Sequence, residues 1–186
     1  MAFVIMTVGK THSGKTTFGK KIASKVKNSC LLDSDEIAIF LKSKFYDLYT
    51  SDFIYGSNKL SDGYYLKLKV LLDIYTHALK TNFPIISTSA NSKKELRKMV
   101  VDSAREAGRE VILVFFNWPE EVLRNRIEKS NRSKKCLVVS EDFGEVLNKQ
   151  NKSFETPRKE ETDYYFEINS EESYKKVLKE IIKKYS

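Results

Sequence analysis

The chain has 186 residues, of which 41% are hydrophobic and 31% charged, and its formal net charge is +8 at pH 7. That size predicts one domain, residues 1–186, with a substantial core. No apolar run reaches the roughly eighteen residues that a membrane span needs, so we expect no membrane segment. The N-terminus lacks leader features and the two cysteines lack metal-ligand spacing, so the sequence favours a cytoplasmic protein with reduced thiols.

The positive charge has two interpretations. It favours a polyanionic partner, either a nucleic acid or a phosphorylated small molecule. It also fits a lysine-rich surface that keeps the protein soluble, since many lysines fall on predicted helix faces. Charge alone leaves both interpretations open.

The first predicted strand, at 3–8, is short, apolar and partly β-branched, as a buried strand is. A glycine-containing loop follows at 9–16, and a helix at 17–26 has Phe18 and Ile22 on one face. The loop reads Gly-Lys-Thr-His-Ser-Gly-Lys-Thr and matches the phosphate-binding pattern G-x-x-x-x-G-K-[ST] at every fixed position. Because it lies between a strand and a helix, the sequence predicts a nucleoside triphosphate site here.

The chemistry of this loop is specific. Its backbone N–H groups and the helix N-terminus would surround phosphates. We expect Lys15 to reach the β and γ phosphates and the Thr16 hydroxyl to ligate Mg²⁺, so ATP and Mg²⁺ are the expected cofactors. The expected nucleotide-binding residues of this segment are Gly9, Lys10, Thr11, His12, Ser13, Gly14, Lys15, Thr16 and Thr17.

Strand and helix patterns alternate along the remaining chain. We predict strands at 30–32, 83–86, 111–116 and 164–168, and helices at 35–45, 64–80, 93–107, 119–129, from a Ser140 cap to about 151, and 171–184. Pro119 is expected at the first position of its helix and Ser170 as the cap of the last. Five short strands alternating with helices predict an α/β fold: a five-stranded parallel sheet with helices on both faces, and ligands beyond the carboxyl ends of its strands.

Two aspartates follow the second predicted strand, beside the expected position of the phosphate loop. A carboxylate there can hold Mg²⁺ through water or accept the proton of an attacking hydroxyl. We expect Asp33 in the metal site and Asp35 as the base, with their side chains pointing to different sides. The alternative is that Asp33 or Ser34 only caps the next helix.

A basic segment forms the second chemical signal: Arg124, Arg126, Lys129, Arg132, Lys134 and Lys135. Phosphoryl transfer spreads negative charge over the γ-phosphate oxygens, and arginines on a closing lid can stabilise it. We therefore predict a helical lid at about 126–140, with Arg126 and Arg132 as catalytic arginines. A solvated basic turn is the alternative.

Further tracts, in order and spacing, fit one family pattern: Leu32 to Ile37, Asn91 followed by Arg97, Trp118 through Arg126, and Phe154 to Pro157. With the loop, they resemble the P-loop kinase family of 5′-polynucleotide kinases and their relatives, which include tRNA-directed and zeta-toxin-like sugar-nucleotide kinases. The resemblance implies a three-layer, lid-covered kinase that moves the γ-phosphate of ATP to a hydroxyl group. It also implies that Asp35 activates a 5′-hydroxyl and that Pro157 lies near the adenine.

Three positions depart from that family pattern. Polynucleotide kinases usually have an arginine three residues after the catalytic aspartate, to hold an acceptor phosphate, and this chain has Ala38. Thr88 stands where an aspartate commonly precedes the asparagine, and Arg126 and Arg132 are further apart than usual. The acceptor is therefore left open.

Three hypotheses cover the acceptor. The leading one is an ATP-dependent kinase acting on the 5′-hydroxyl of a polynucleotide or a related RNA. The second has a small metabolite as acceptor, such as a sugar, nucleoside or sugar nucleotide. The third is an ATP-hydrolysing module that regulates an RNA or a protein. The aromatic residues Phe45, Tyr46, Tyr49, Phe53 and Tyr55 either stack on a base of the acceptor or pack beneath a loop.

Overall fold

The computed structural model describes residues 2–45, 62–137, 140 and 142–185. Its strands are β1 Phe3–Gly9, β2 Cys30–Leu32, β3 Ile85–Ser87, β4 Glu110–Phe116 and β5 Tyr164–Ile168. They form one sheet with the order β2-β3-β1-β4-β5, and every neighbouring pair is parallel. The five-stranded parallel sheet predicted from the alternating pattern is confirmed.

Helices fill the connections between the strands. They are α1 Lys15–Ala23, α2 Ser34–Lys44, α3 Asp62–Leu79, α4 Lys94–Glu106, α5 Glu120–Glu128, α6 Phe143–Ser153 and α7 Glu171–Tyr185. Two short 3-10 turns lie at Lys134–Cys136 and Lys159–Glu161. Within the described ranges, no helix is long and apolar enough to cross a membrane.

The central strand β1 explains why helices cover both faces of the sheet. All seven of its residues are buried, and successive side chains enter opposite cores. Phe3 and Ile5 pack in the core that α1 and α7 cover. Val4 and Met6 pack in the core that α3 and α4 cover. Because β1 is the central strand of the sheet, the phosphate loop that follows it lies at the middle of the sheet edge.

Two predicted helix caps are wrong by one or two residues. Pro119 is the N-cap residue before α5, and the helix itself begins at Glu120. Asp142, not Ser140, caps α6, because its carboxylate accepts a hydrogen bond from the Glu145 N–H at 2.8 Å. The Ser170 cap is confirmed, since its hydroxyl accepts from the Ser173 N–H at 3.1 Å.

Part of the predicted lid is described. After α5, residues 129–133 have no regular structure and lead into the turn Lys134–Cys136. Of the aromatic segment, only Phe45 is described, and it is 46% exposed. Tyr46, Tyr49, Phe53 and Tyr55 lie outside the described residues.

Candidate functional site

A cavity of about 710 Å³ opens at the carboxyl ends of β1, β2 and β3. The sequence-predicted site residues that line it are Thr11, His12, Gly14, Lys15, Thr16, Thr17, Asp33, Asp35 and Arg132. The predicted residues Gly9, Lys10, Ser13, Arg126 and Pro157 are not part of this lining. The cavity therefore combines the phosphate loop, both aspartates and one of the two predicted arginines.

Glycine is required at two positions that shape the loop. Gly14 has φ +94° and is the N-cap of α1, in the left-handed region that glycine adopts without steric cost. Gly19, in α1, packs so closely on the sheet that a Cβ would come within 2.3 Å of the Thr88 Cγ2. These two glycines let the helix begin at the loop and lie directly against β3.

Lys15 is buried at the base of the loop. Its Nζ donates to the Lys10 carbonyl oxygen at 2.7 Å and to the Ser13 Oγ at 3.2 Å. Burial lowers the pKa of Lys15 to about 8, the charge of Asp35 opposes that shift, and the charge of Arg132 adds to it. The ammonium is therefore held by neutral oxygen atoms and retains its proton less firmly than an exposed lysine.

His12 lies at the top of the loop with φ +56°. Its Nδ1 is 3.0 Å from the Thr11 hydroxyl, its ring meets Phe143 edge-on at 4.7 Å, and its buried Nε2 has no hydrogen-bond partner among the residues that the structure describes. Burial, and then the charges of Arg132 and Lys15, lower the pKa of His12 to about 4. The imidazole is therefore neutral near pH 7.

The two aspartates face the same cavity, so the expectation that they point to different sides is wrong. Asp33 is the N-cap of α2 and accepts from the Asp35 N–H at 2.8 Å, as the capping alternative for it predicted. Asp35 already belongs to the first turn of the helix, where successive side chains no longer alternate across a strand. Its carboxylate forms an ion pair with Arg132.

The residues predicted to hold Mg²⁺ have suitable chemistry. Thr16 and Asp33 both line the cavity, and a hydroxyl and a carboxylate are oxygen ligands of the kind that Mg²⁺ prefers. Among the described residues, no group of three or more histidine, cysteine, aspartate and glutamate side chains could hold a metal. Mg²⁺ in nucleotide sites usually has one or two protein ligands and completes its coordination with phosphate oxygens and water.

The two predicted arginines have different neighbours. Arg132 contacts Asp35, and its guanidinium lies 5.0 Å from the Phe143 ring. Arg126 lies 4.1 Å from the Trp118 ring and donates to Glu171 at 3.0 Å, outside the cavity lining. Arg126 thus braces the surroundings of the loop in this conformation, whereas Arg132 lies within the cavity.

Sequence reasoning missed the contacts between α6 and the loop. The Gln150 Oε1 accepts from the Thr11 N–H at 2.7 Å, and the Asn151 Oδ1 accepts from the Lys10 ammonium at 2.7 Å. These residues are about 140 positions apart, and single amides on a helix give no sequence signal for such a contact. The loop is therefore held from α6 as well as from its own strand and helix.

A buried ion pair joins α4 to the segment that precedes β5. Arg97 is fully buried and donates to Glu161 through Nε at 2.7 Å and Nη2 at 3.0 Å. Its Nη1 donates to the carbonyl oxygens of Asn91 and Glu155 at 3.1 and 2.9 Å. The same polypeptide segment carries the buried Pro157, which the sequence analysis expected near the adenine.

Two positions that depart from the family pattern, Thr88 and Ala38, are both buried. Thr88 donates to the Leu32 carbonyl oxygen from both its N–H at 2.9 Å and its hydroxyl at 3.2 Å, which joins the ends of β2 and β3. Ala38 is fully buried and does not line the cavity. Lys67 does line it, from α3, and its role was not foreseen from the sequence.

A family model described as an AAA domain matches residues 4–157. A search among curated proteins finds no match to the sequence.

Solved structures resemble the chain over nearly its whole length. A candidate kinase from Chloroflexus aurantiacus has a TM-score of 0.71 at 14% identity, covering 100% of this chain and 98% of that one. Kti12 from Chaetomium thermophilum, solved with ADP-AlF3, has a TM-score of 0.64 at 17% identity, covering 98% and 99%. The APS kinase CysC from Mycobacterium tuberculosis, solved with AMPPNP and APS, has a TM-score of 0.63 at 15% identity, covering 98% and 96%. These likenesses identify the P-loop kinase fold.

Proposed function

The chain belongs to the AAA domain family, and from that premise we propose that it is an ATP-dependent phosphotransferase acting on a hydroxyl group. One observation carries the proposal: Lys15, Thr16 and Asp35 line a single cavity at the carboxyl ends of the strands. Phosphoryl transfer needs a cation for the phosphates, a hydroxyl for the metal and a base for the acceptor, and this cavity contains all three.

The residues of the chain divide the work as follows. Loop N–H groups and the α1 N-terminus bind the phosphates, and Lys15 exchanges the Lys10 and Ser13 oxygens for those of the β and γ phosphates. Thr16 and Asp33 would hold Mg²⁺, which would supply positive charge that offsets the charge of the triphosphate. Asp35 accepts the proton of the acceptor hydroxyl. The oxygen of that hydroxyl bonds to the γ-phosphorus, and the bond between this phosphorus and the bridging oxygen of ADP breaks.

Arg132 links nucleotide binding to the base. Its guanidinium is paired with the Asp35 carboxylate, and this pairing blocks the carboxylate that must accept the proton. A triphosphate bound in the loop carries more negative charge than the Asp35 carboxylate and attracts Arg132 more strongly. If the Arg132 side chain moves to the γ-phosphate, Asp35 is free. The base then becomes available when ATP is present. Arg126 stacks on Trp118 and donates to the His12 carbonyl oxygen of the phosphate loop at 3.5 Å, so it lies next to the loop although it does not line the cavity.

The leading acceptor is the 5′-hydroxyl of a polynucleotide or a related RNA, which the net charge of +8 favours through attraction to a polyanion. A small metabolite is the second candidate. The core position of Ala38, where an arginine would hold an acceptor phosphate in polynucleotide kinases, favours it.

The test is transfer of labelled γ-phosphate from ATP, with Mg²⁺, to 5′-hydroxyl DNA and RNA oligonucleotides and to a panel of nucleosides and sugars. We expect label on an oligonucleotide, lost in Lys15→Ala and retained in Lys98→Ala, a control lysine of α4 whose side chain is 72% exposed. Label only on a metabolite would select the second candidate.

A third outcome has its own meaning. ATP hydrolysis that no hydroxyl acceptor changes, but that an RNA or a protein stimulates, would favour a regulatory module with water as acceptor. Turnover undiminished in Lys15→Ala would reject the phosphotransferase proposal altogether.

A further inference from the structure

A second cavity lies at the opposite edge of the sheet, at the amino ends of β1 and β3. Its volume is about 530 Å³, which is within the range of small-molecule sites. Four segments line it: the first residue of β1, the turn after α1, the turn before β3 and the last residue of α7. Because β1 has seven residues, about 20 Å of sheet separate this cavity from the phosphate loop. It is therefore a different site from the one proposed for phosphotransfer.

Aromatic rings form two parts of the lining. The rings of Phe3 and Tyr185 contact each other, with their centroids 4.2 Å apart, and the Tyr185 hydroxyl donates to the Glu110 carboxylate at 3.4 Å. Phe83 also lines the cavity, yet it is 49% exposed. A large apolar ring that borders a cavity and keeps half of its surface in water offers a face on which a flat ligand can stack.

The turn that carries Phe83 is held in place by a buried side chain. The Arg109 guanidinium donates to the carbonyl oxygen of Phe83 at 2.7 Å and to those of Ala78 and Leu79 at 2.9 Å. The Phe83 N–H donates to the Thr81 hydroxyl at 3.1 Å. The ring is therefore presented from a backbone whose hydrogen bonds are already made, and this lowers the ordering cost that a ligand must offset.

Lysines and amides complete the lining. Lys25 and Lys27 are exposed, and neither ammonium forms an ion pair within the part of the chain that the structure describes. The side chains of Asn28 and Asn82 are also exposed and form no hydrogen bond with a described residue. No carboxylate belongs to the lining, so the cavity combines positive charge, amide groups and aromatic surface.

The surface between the two cavities is basic as well. α1 begins at the phosphate loop, and residues 15–27 contain five lysines and no acidic residue. α7 covers the same core, has five lysines against three glutamates, and ends at the second cavity. A polyanion bound in this cavity can therefore continue along a surface with an excess of cations.

We propose that the second cavity binds one nucleotide of a single-stranded polynucleotide, with its base stacked on Phe83 and its phosphates at Lys25 and Lys27. The Asn28 and Asn82 amides supply donors and acceptors for the edge of that base. An acidic peptide would satisfy the lysines but has no base edge for the amides, and a free phosphate would leave the aromatic face unused. The site does not require that the bound strand is also the phosphate acceptor.

The experiment measures the Kd of a labelled single-stranded RNA of about eight nucleotides by fluorescence anisotropy. AMPPNP and Mg²⁺ are present in excess, so that the phosphate loop is filled. The variants are Phe83→Ala and the double variant Lys25→Gln with Lys27→Gln. Met99→Ala and Lys98→Gln are the matched controls, because these residues of α4 are 42% exposed and 72% exposed in the side chain and lie outside the lining. An abasic strand of equal length keeps the phosphates and removes the bases.

We expect Phe83→Ala to weaken binding of the RNA about tenfold and to leave binding of the abasic strand unchanged, because it removes only stacking. The double lysine variant should weaken binding of both strands. It should also reduce the slope of log affinity against log salt concentration by about 1.4, since each phosphate of a single strand contributes about 0.7. Both controls should match the wild type, and the Kd of AMPPNP should be the same in all variants.

Three results would overturn the inference. RNA binding that Phe83→Ala leaves unchanged, or weakens equally for the abasic strand, would exclude a stacked base. A salt slope unchanged in the double lysine variant would exclude phosphates at Lys25 and Lys27. AMP that displaces the RNA at a concentration close to the Kd of the strand would assign the cavity to a free nucleotide instead of a polynucleotide.

The proposed function and this inference fail separately. Binding of RNA that depends on Phe83, without any transfer from ATP, would contradict the phosphotransferase and keep the second site. Transfer to a hydroxyl acceptor, with RNA binding that is independent of Phe83, would keep the phosphotransferase and remove the second site.

Discussion

The Lys15 ammonium is buried against neutral oxygen atoms, and this makes nucleotide binding sensitive to pH. Its pKa of about 8 means that the unliganded protein loses this charge as the pH rises above about 8, well below the ordinary value of 10.5. A bound triphosphate favours the charged form, so ATP binding must take up a proton above that pH. We expect ATP affinity to fall by up to about tenfold per pH unit above 8. Titrations at pH 7, 8 and 9.5 test this, and equal affinities at 7 and 9.5 would contradict it.

Asp35 is the proposed proton acceptor and also the partner of Arg132. Asp35→Asn removes the proposed proton acceptor, so transfer should fall by about 10²–10⁴-fold. The same change removes the partner of Arg132, and ATP should bind at least as tightly as before. Glu36→Gln is the matched control, because Glu36 is an exposed neighbour paired with Lys20. A fully active Asp35→Asn would refute the assignment of the base.

At the scale of elements, α6 supports the loop through side chains. Gln150→Ala would leave the Thr11 N–H without its present partner, and the loop would lose one fixed point. A lost hydrogen bond of this kind costs about 1 kcal/mol, so we expect ATP to bind roughly fivefold more weakly. Asn148→Ala, an exposed position of the same helix, should leave the affinity unchanged. Equal affinity in both variants would mean that α6 does not stabilise the loop.

The ion pair between Arg97 of α4 and Glu161 joins two elements at a buried point. Arg97→Met would leave Glu161, whose side chain is only 12% exposed, without its counterion. We therefore expect the free energy of unfolding to fall by about 3–5 kcal/mol. Arg105→Met breaks a pair of comparable length at the surface and should change it by less than about 1 kcal/mol. Denaturant unfolding of both variants measures the difference, which should vanish if the buried pair is dispensable.

At the scale of the whole molecule, the basic layer formed by α1 and α7 bears on the acceptor. The two helices cover the same face of the sheet, and their exposed lysines include Lys21 of α1 and Lys175, Lys176 and Lys179 of α7. A polynucleotide acceptor would release counterions when it binds such a surface. Its kcat/KM should then fall steeply with salt, whereas that of a single nucleotide should change far less. Identical salt dependence for a long oligonucleotide and a mononucleotide would exclude a role for this surface.

Elements whose signals are local could be predicted from the order of the residues alone. The strand, glycine loop and helix from β1 to α1 are specified by residues that follow one another. Gly14 supplies the positive φ at the start of the helix, and the spacing of Phe18 and Ile22 alone places them on one helix face. The alternation of strands and helices likewise determined a parallel sheet, since parallel neighbours need a crossover between them.

Which side chains contact one another depends on how the elements pack. Arg132 reaches Asp35 across 97 positions, Gln150 reaches Thr11 across 139, and Lys67 enters the cavity from a helix whose pattern indicated only an apolar face. Arg126 belonged to the same basic segment as Arg132, and Pro157 was expected near the adenine only from the family resemblance, yet both lie outside the cavity lining. The physical reason is that periodicity reports which face of an element is buried, whereas contacts between elements depend on how several of them pack together.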